Sequence, residues 1–313
     1  MSELLKDKIS SNISEEDLFY EIADEGIDAV YHVIEKRSFL NTIKKLMLNQ
    51  KLRLTNRNQA IKEWCEKKFK SEMDTSNSTE KVKKPKKPFR VRYINFKRGN
   101  KSLSNTMIVI ENSKELNDLC KERKKRYGTY VKVVFAGLYQ PTRAIKPLTM
   151  KVLKTFLSKY NIWDMDLAVD ILSKDKSSDK SKFKNAVKGI SNNDSKICTQ
   201  YSTTYANSCV GKVEKVLIYD KYIKESIYHK QRLCKALEDW KRIELRVRFK
   251  KRFSKITKKE ILHYKDMLDD IARNYSDFVL FGVYEKTLNA QIAYLKDGRR
   301  KIKSEVKFKE WIA

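Results

Sequence analysis

Trp163-Asp164-Met165-Asp166-Leu167-Ala168-Val169-Asp170-Ile171 alternates acid with apolar residue almost without a break. Side chains of an extended chain point alternately to opposite sides. Asp164, Asp166, Ala168 and Asp170 therefore share one face, and Met165, Leu167, Val169 and Ile171 the other. The same grammar recurs in Arg242-Ile243-Glu244-Leu245-Arg246-Val247-Arg248-Phe249, where the odd positions are apolar and Glu244 stands among arginines on the even face. If the two strands are neighbours in one sheet, their polar faces coincide. Acids packed that closely repel unless a cation neutralises them. Either a hard divalent ion, which prefers oxygen ligands, or the arginines Arg242, Arg246 and Arg248 can do so. The second option makes this a solvated antiparallel face with no special chemistry.

Composition bounds the class of molecule. The 313 residues are 41% hydrophobic and 11% aromatic, enough to bury a real core in one large domain or two smaller ones. Sixty-nine Lys and Arg against forty Asp and Glu give a net charge of +29, far beyond what solubility needs, so a polyanion is the expected partner, with nucleic acid first. No apolar run of transmembrane length and no signal-peptide pattern is present, which leads to the expectation of a soluble, cytoplasmic protein that does not engage a membrane. Five cysteines with no CxxC pair fit reduced thiols and argue against a zinc site.

Charge also divides the chain. Residues 1–80 carry 13 Lys and Arg against 15 Asp and Glu, which leaves +31 for residues 81–313. Residues 76–88, polar and then Lys-rich with prolines, read as a basic linker. Ahead of it, residues 1–75 read as a small helical module for DNA binding or dimerisation. One helix passes through Leu18, Ile22, Ile27 and Val30, a second through Phe39, Ile43, Leu46 and Met47, and a third through Ala60, Ile61, Trp64 and Phe69. A helix-turn-helix is one reading of Leu54 to Ile61.

After the linker, residues 89–313 read as one α+β domain. Strands are expected at Phe89 to Phe96, Thr106 to Ile110, Tyr130 to Phe135 and Val213 to Tyr219. Helices are expected around Ser113 to Lys124, after Pro147, through Ile227, Leu233 and Leu237, and near the C-terminus. Ser173 to Lys196 reads as a loop holding one short helix anchored by Phe183, Val187 and Ile190. The expected architecture is a central, mostly antiparallel sheet with flanking helices.

The order of these pieces carries a resemblance. Met165-Asp166-Leu167-Ala168-Val169-Asp170, then Thr204-Tyr205-Ala206-Asn207-Ser208, then Lys215-Val216-Leu217-Ile218-Tyr219-Asp220-Lys221-Tyr222-Ile223-Lys224-Glu225, then Arg242-Ile243-Glu244-Leu245-Arg246 resembles rolling-circle replication initiators. The likeness is to the replication initiation factor type and to the gene II proteins of filamentous phage, and it covers about residues 130–255. In that family an R-x-D-x-A-x-D strand is followed by a tyrosine before a glycine-serine turn, a Y-[DE]-K-x-x-E strand end and R-x-E-x-x-x-R. Here Trp163-Asp164 stands where arginine is usual, and Ala206-Asn207 replaces the glycine.

What the resemblance implies is a replication-initiator-like fold and an enzyme of plasmid or phage type that nicks and rejoins one DNA strand at an origin. A tyrosine hydroxyl attacks the phosphodiester, leaving a 5′-phosphotyrosine and a free 3′-OH. Tyr205 is then the first choice of nucleophile and Tyr201 the second. Asp166, Asp170 and Glu244 would hold Mg²⁺ or Mn²⁺, and Lys221 would tune the tyrosine or steady the phosphate, its plainer alternative being a surface ion pair with Glu225. Arg242, Arg246 and Arg248 would contact DNA or balance the acids. The implied partners are double-stranded origin DNA, single-stranded DNA, a host helicase and a second copy of the chain.

Two alternatives stand beside it. His229-Lys230-Gln231-Arg232 matches the HxxR element of tyrosine recombinases, with Tyr264 or Tyr275 as nucleophile. A basic, non-catalytic DNA-binding protein of replication or regulation accounts equally well for the charge.

Overall fold

The computed structural model describes residues 25–49, 53–54, 89–94, 96–98, 101–102, 107–138, 147–192, 196–200, 202–207, 209–228 and 238–276. It is α+β, with a large antiparallel sheet and several helices. In chain order the elements are β1 (Glu25–Glu35), α1 (Lys36–Asn49), β2 (Arg53–Leu54), β3 (Arg90–Ile94), β4 (Phe96–Arg98), β5 (Lys101–Ser102), β6 (Met107–Glu111), α2 (Lys114–Glu122) and β7 (Tyr130–Ala136). They continue with α3 (Pro147–Lys159), β8 (Asn161–Leu172), α4 (Lys180–Ala186), β9 (Ile197–Gln200), β10 (Thr203–Asn207), β11 (Val213–Asp220), β12 (Trp240–Arg252) and α5 (Lys258–Tyr275). A helical turn, Lys221–Ile223, runs into a wider one at Lys224–Tyr228 after β11.

The chain forms two compact units. One comprises Met1–Val30, Gly137–Met150 and Leu157–Ala313; the other comprises Tyr31–Ala136 and Lys151–Phe156. In the first, the strand order is β1-β8-β12-β11-β10-β9, and the pairings from β8 through β9 are all antiparallel. The acidic strand β8 and the Glu244 strand β12 are neighbours, as their shared alternation anticipates. Their odd-numbered faces make the core: Met165, Leu167, Val169, Ile171, Ile243, Leu245 and Val247 are all buried. Helix α5 covers β8 and β12 with Ile261, Tyr264, Leu268, Ile271, Ala272 and Tyr275, and the Tyr264 ring meets Phe249 edge-on at 6.0 Å. Thr257 starts that helix by accepting from the Glu260 backbone N–H at 3.1 Å. Phe183, Val187 and Ile190 are buried where the short helix α4 was expected.

In the second unit the order is β3-β6-β7-β1, with α2 packed on β7. His32, Phe39, Phe135 and Phe156 form its aromatic centre. A three-stranded sheet joins β2, β4 and β5.

One expected helix is a strand instead. Residues 25–35 form β1, although Ile27 and Val30 suit a helical face. Residues 26–32 are all buried, Asp28 and His32 included, so this strand is enclosed on both sides and loses the apolar-polar alternation that would reveal it. Its β-branched residues and Tyr31 favour the extended form. Helix α1 lies where the second helix was expected. The helices through Leu18 and Ile22 and through Ala60 to Phe69, and the linker 76–88, fall outside the described residues.

Candidate active site

The register of four strands builds the site. Cross-strand pairs set Arg242 opposite Asp170, Arg246 opposite Asp166 and Arg248 opposite Asp164, while Glu244 faces Ala168. On the other side of β12, Glu244 pairs with Leu217 of β11, which pairs in turn with Tyr205 of β10. Because directly opposed residues point to the same side of a sheet, Tyr205, Leu217, Glu244 and Ala168 form one row on the polar face. Tyr205 and Glu244 are two strand spacings apart along it, roughly 10 Å between backbones. Next to this row on one side lie Thr203, Tyr219, Arg242 and Asp170, and on the other Asn207, Lys215, Arg246 and Asp166.

Three of the four acids are held by arginine. Arg242 donates Nε and Nη2 to both oxygens of Asp170 at 2.7 Å each, and its Nη1 reaches Asp28 of β1 at 3.0 Å. Arg246 grips Asp166 in the same two-pronged way at 2.7 and 2.9 Å. Arg248 donates to Asp164 at 3.1 Å and also meets Glu214. Forked pairs of this kind match guanidinium to carboxylate geometry. The ladder is buried rather than solvated, with Asp164, Asp170 and Arg242 fully enclosed.

Glu244 differs. Its neighbour on β8 is an alanine, and among the described residues it forms no ion pair. It accepts a hydrogen bond from the Tyr219 hydroxyl at 2.8 Å, and that same hydroxyl accepts from Lys224 Nζ at 3.1 Å. Burial raises the Glu244 carboxyl above its ordinary value, Asp28 and Asp166 add to the rise, and Lys224 and Arg242 oppose it. Burial, then the Glu244 charge, raises the Tyr219 phenol further.

Tyr205 is half-buried in a cavity of about 270 Å³ also lined by Gln200, Thr203, Lys215, Tyr219 and Lys224. Lys215 Nζ lies 4.6 Å from the centre of its ring, and Lys224 Nζ lies 4.3 Å from that of Tyr219. The cavity thus presents two phenols at its wall, Tyr205 and Tyr219, with two ammonium groups and a route through Tyr219 to Glu244.

The remaining site residues fall as follows. Lys221 is fully buried and pairs with Glu225 at 2.6 Å, over Trp240, so it is closed off from the cavity; the lysine beside Tyr205 is Lys215. Burial, with Arg242 next, lowers the Lys221 ammonium to about 8. Arg242 is sealed between Asp170 and Asp28, whereas Arg246 and Arg248 keep about a quarter of their side-chain surface exposed (26% and 28%). Tyr264 and Tyr275 are packed into the core, Tyr275 donating to the Lys176 carbonyl at 3.1 Å. Tyr201 and His229 to Arg232 lie outside the described residues.

Whether Asp166, Asp170 and Glu244 fit a divalent ion is decided by their partners. Both oxygens of Asp166 and of Asp170 are taken by arginine, and no group of three His, Cys, Asp or Glu among the described residues is arranged to hold a metal. As placed, the trio does not fit an ion; one would have to displace two forked guanidinium groups.

Sequence reasoning gave Lys215, Tyr219 and Asp28 no role at the site. The first two stood in a quoted motif, but their place beside Tyr205 and Glu244 follows from the register of β10, β11 and β12, and Asp28 came from a segment read as helix. No helix among the described residues is long and apolar enough to cross a membrane. No protein-family model matches the chain, and no curated protein matches it.

Proposed function

We propose that the chain initiates rolling-circle DNA replication by nicking and rejoining one strand through Tyr205. The observation that carries this reading is the row that sets a half-buried phenol and an arginine-free carboxylate on the same sheet face, with Lys215 and Lys224 in the cavity at the phenol. The Tyr205 oxygen forms a bond to phosphorus as the bond from phosphorus to the 3′ oxygen breaks. The phenol's proton leaves to a base, and the 3′ oxygen takes one up to become the hydroxyl that primes synthesis. One ester replaces another, so the step runs backwards to reseal the strand. The two lysines offset charge gathering on the phosphate oxygens. Glu244, whose burial raises its affinity for a proton above that of an ordinary carboxylate, is suited to proton exchange, and Tyr219 connects it to the cavity.

The arginine-clamped acids favour a second reading, a basic DNA-binding protein in which the ladder is purely structural. Incubation of the full chain with supercoiled plasmid libraries and single strands, with Mn²⁺ or with EDTA, separates the two. A covalent adduct on a DNA 5′ end that disappears in Tyr205→Phe supports the nickase, and the two buffers show whether an ion is required. Salt-sensitive binding with no adduct in either buffer supports the plain binder.

A further inference from the structure

A second surface, on the other unit, bears on nucleic acid without involving Tyr205. Strand β3 ends the strand order of that unit, and among the described residues it pairs with β6 alone. Along it the odd positions face outward. Phe89, one residue ahead of the strand, is 61% exposed, Val91 41% and Tyr93 55%, while Ile94 is buried and Arg92 is tied to Glu111 at 2.8 Å. Aromatic side chains this exposed on a strand lose hydrophobic stabilisation that the core would give them. Residues 81–110 hold ten Lys and Arg and no Asp or Glu, so the stripe sits in the most one-sided positive stretch of the chain. Arg90, exposed between Phe89 and Val91, forms no ion pair among the described residues.

We propose that Phe89, Val91 and Tyr93 are a stacking platform for single-stranded nucleic acid, with Arg90 and its basic neighbours drawing in the phosphates. Every base offers a π-face, so rings repeated on one side of a strand over roughly 13 Å receive successive bases whatever their sequence. An acid-free stretch suits a polyanion and repels a basic second copy. Arg90, exposed at this edge, also discourages pairing with another strand, leaving the rings for stacking.

The test measures binding of the full chain to fluorescein-labelled (dT)12 and (U)12 by anisotropy across a salt series. Phe89→Ser and Tyr93→Ser should each weaken binding by about 5- to 150-fold, with the logarithmic salt slope unchanged because phosphate contacts remain. Tyr127→Ser, an exposed tyrosine elsewhere, should change nothing. Preference between the two oligonucleotides tells DNA from RNA. Equal affinity in the stripe variants overturns the proposal. So does a change in sedimentation from dimer to monomer with oligonucleotide binding intact, which would place another chain on the stripe. Should a serine variant melt early, Tyr93→Trp decides: retained or tighter binding supports stacking, and a fivefold loss refutes it. None of these outcomes depends on strand cleavage.

Discussion

Glu244 is set apart by the residue opposite it. Asp164, Asp166 and Asp170 each face an arginine across the β8–β12 ladder, whereas Glu244 faces Ala168, so nothing on β8 neutralises it. A carboxyl with a raised pKa binds its proton more tightly folded than unfolded. Its stabilising share is therefore full below the unfolded value and is lost as pH rises through the folded one. At pH 7 Glu244→Gln should then melt at the same temperature as the parent or higher, with a flatter fall in stability above about pH 4.5, while adduct formation disappears. Thermal melts across pH together with the adduct assay check both halves; a destabilised variant would make Glu244 a structural residue. Lys215, 4.6 Å from the Tyr205 ring, gives a second prediction: Lys215→Met lowers the cleavage rate on saturating DNA by roughly 10- to 100-fold, and Lys215→Arg restores part of it. Single-turnover rates read this directly, and an unchanged rate would remove Lys215 from the chemistry.

At the scale of elements, the alternation in β8 and β12 was legible because it needs only a two-residue period, and it placed the acids on one face. What those acids do was not legible, since pairing of Arg242 with Asp170 and Asp28 depends on register and on a strand 214 residues away in sequence. Lys221 was misplaced for a related reason: it lies just past the end of β11, where the chain turns into a helix and buries it against Glu225. Loss of Arg242 strands two buried carboxylates, so Arg242→Met should cost about 3–5 kcal/mol, measured by urea unfolding. Glu225→Gln should cost a similar amount at pH 7 by leaving the Lys221 charge without its partner. The lowered Lys221 pKa means that stability returns as pH rises through about 8 towards 10.5, because the unfolded chain then holds the extra proton. A Glu225→Gln chain whose stability is flat across that range would contradict the pairing.

For the whole molecule, a net charge of +29 concentrated after residue 80 makes affinity for any DNA steeply dependent on salt. Each phosphate neutralised adds roughly 0.7–0.9 to the logarithmic slope, so six to ten contacts would lower affinity on the order of a thousandfold or more between 50 and 200 mM salt. That behaviour belongs equally to an initiator and to a plain binder, and charge alone does not choose between them. The choice rests on Tyr205. Wild-type protein trapped on cleaved single-stranded DNA, digested with nuclease and trypsin and mapped by mass spectrometry, should carry a nucleotide phosphate on Tyr205 and on no other tyrosine of the sixteen. A phosphate on another residue, or none under conditions where the chain binds DNA, would contradict the account.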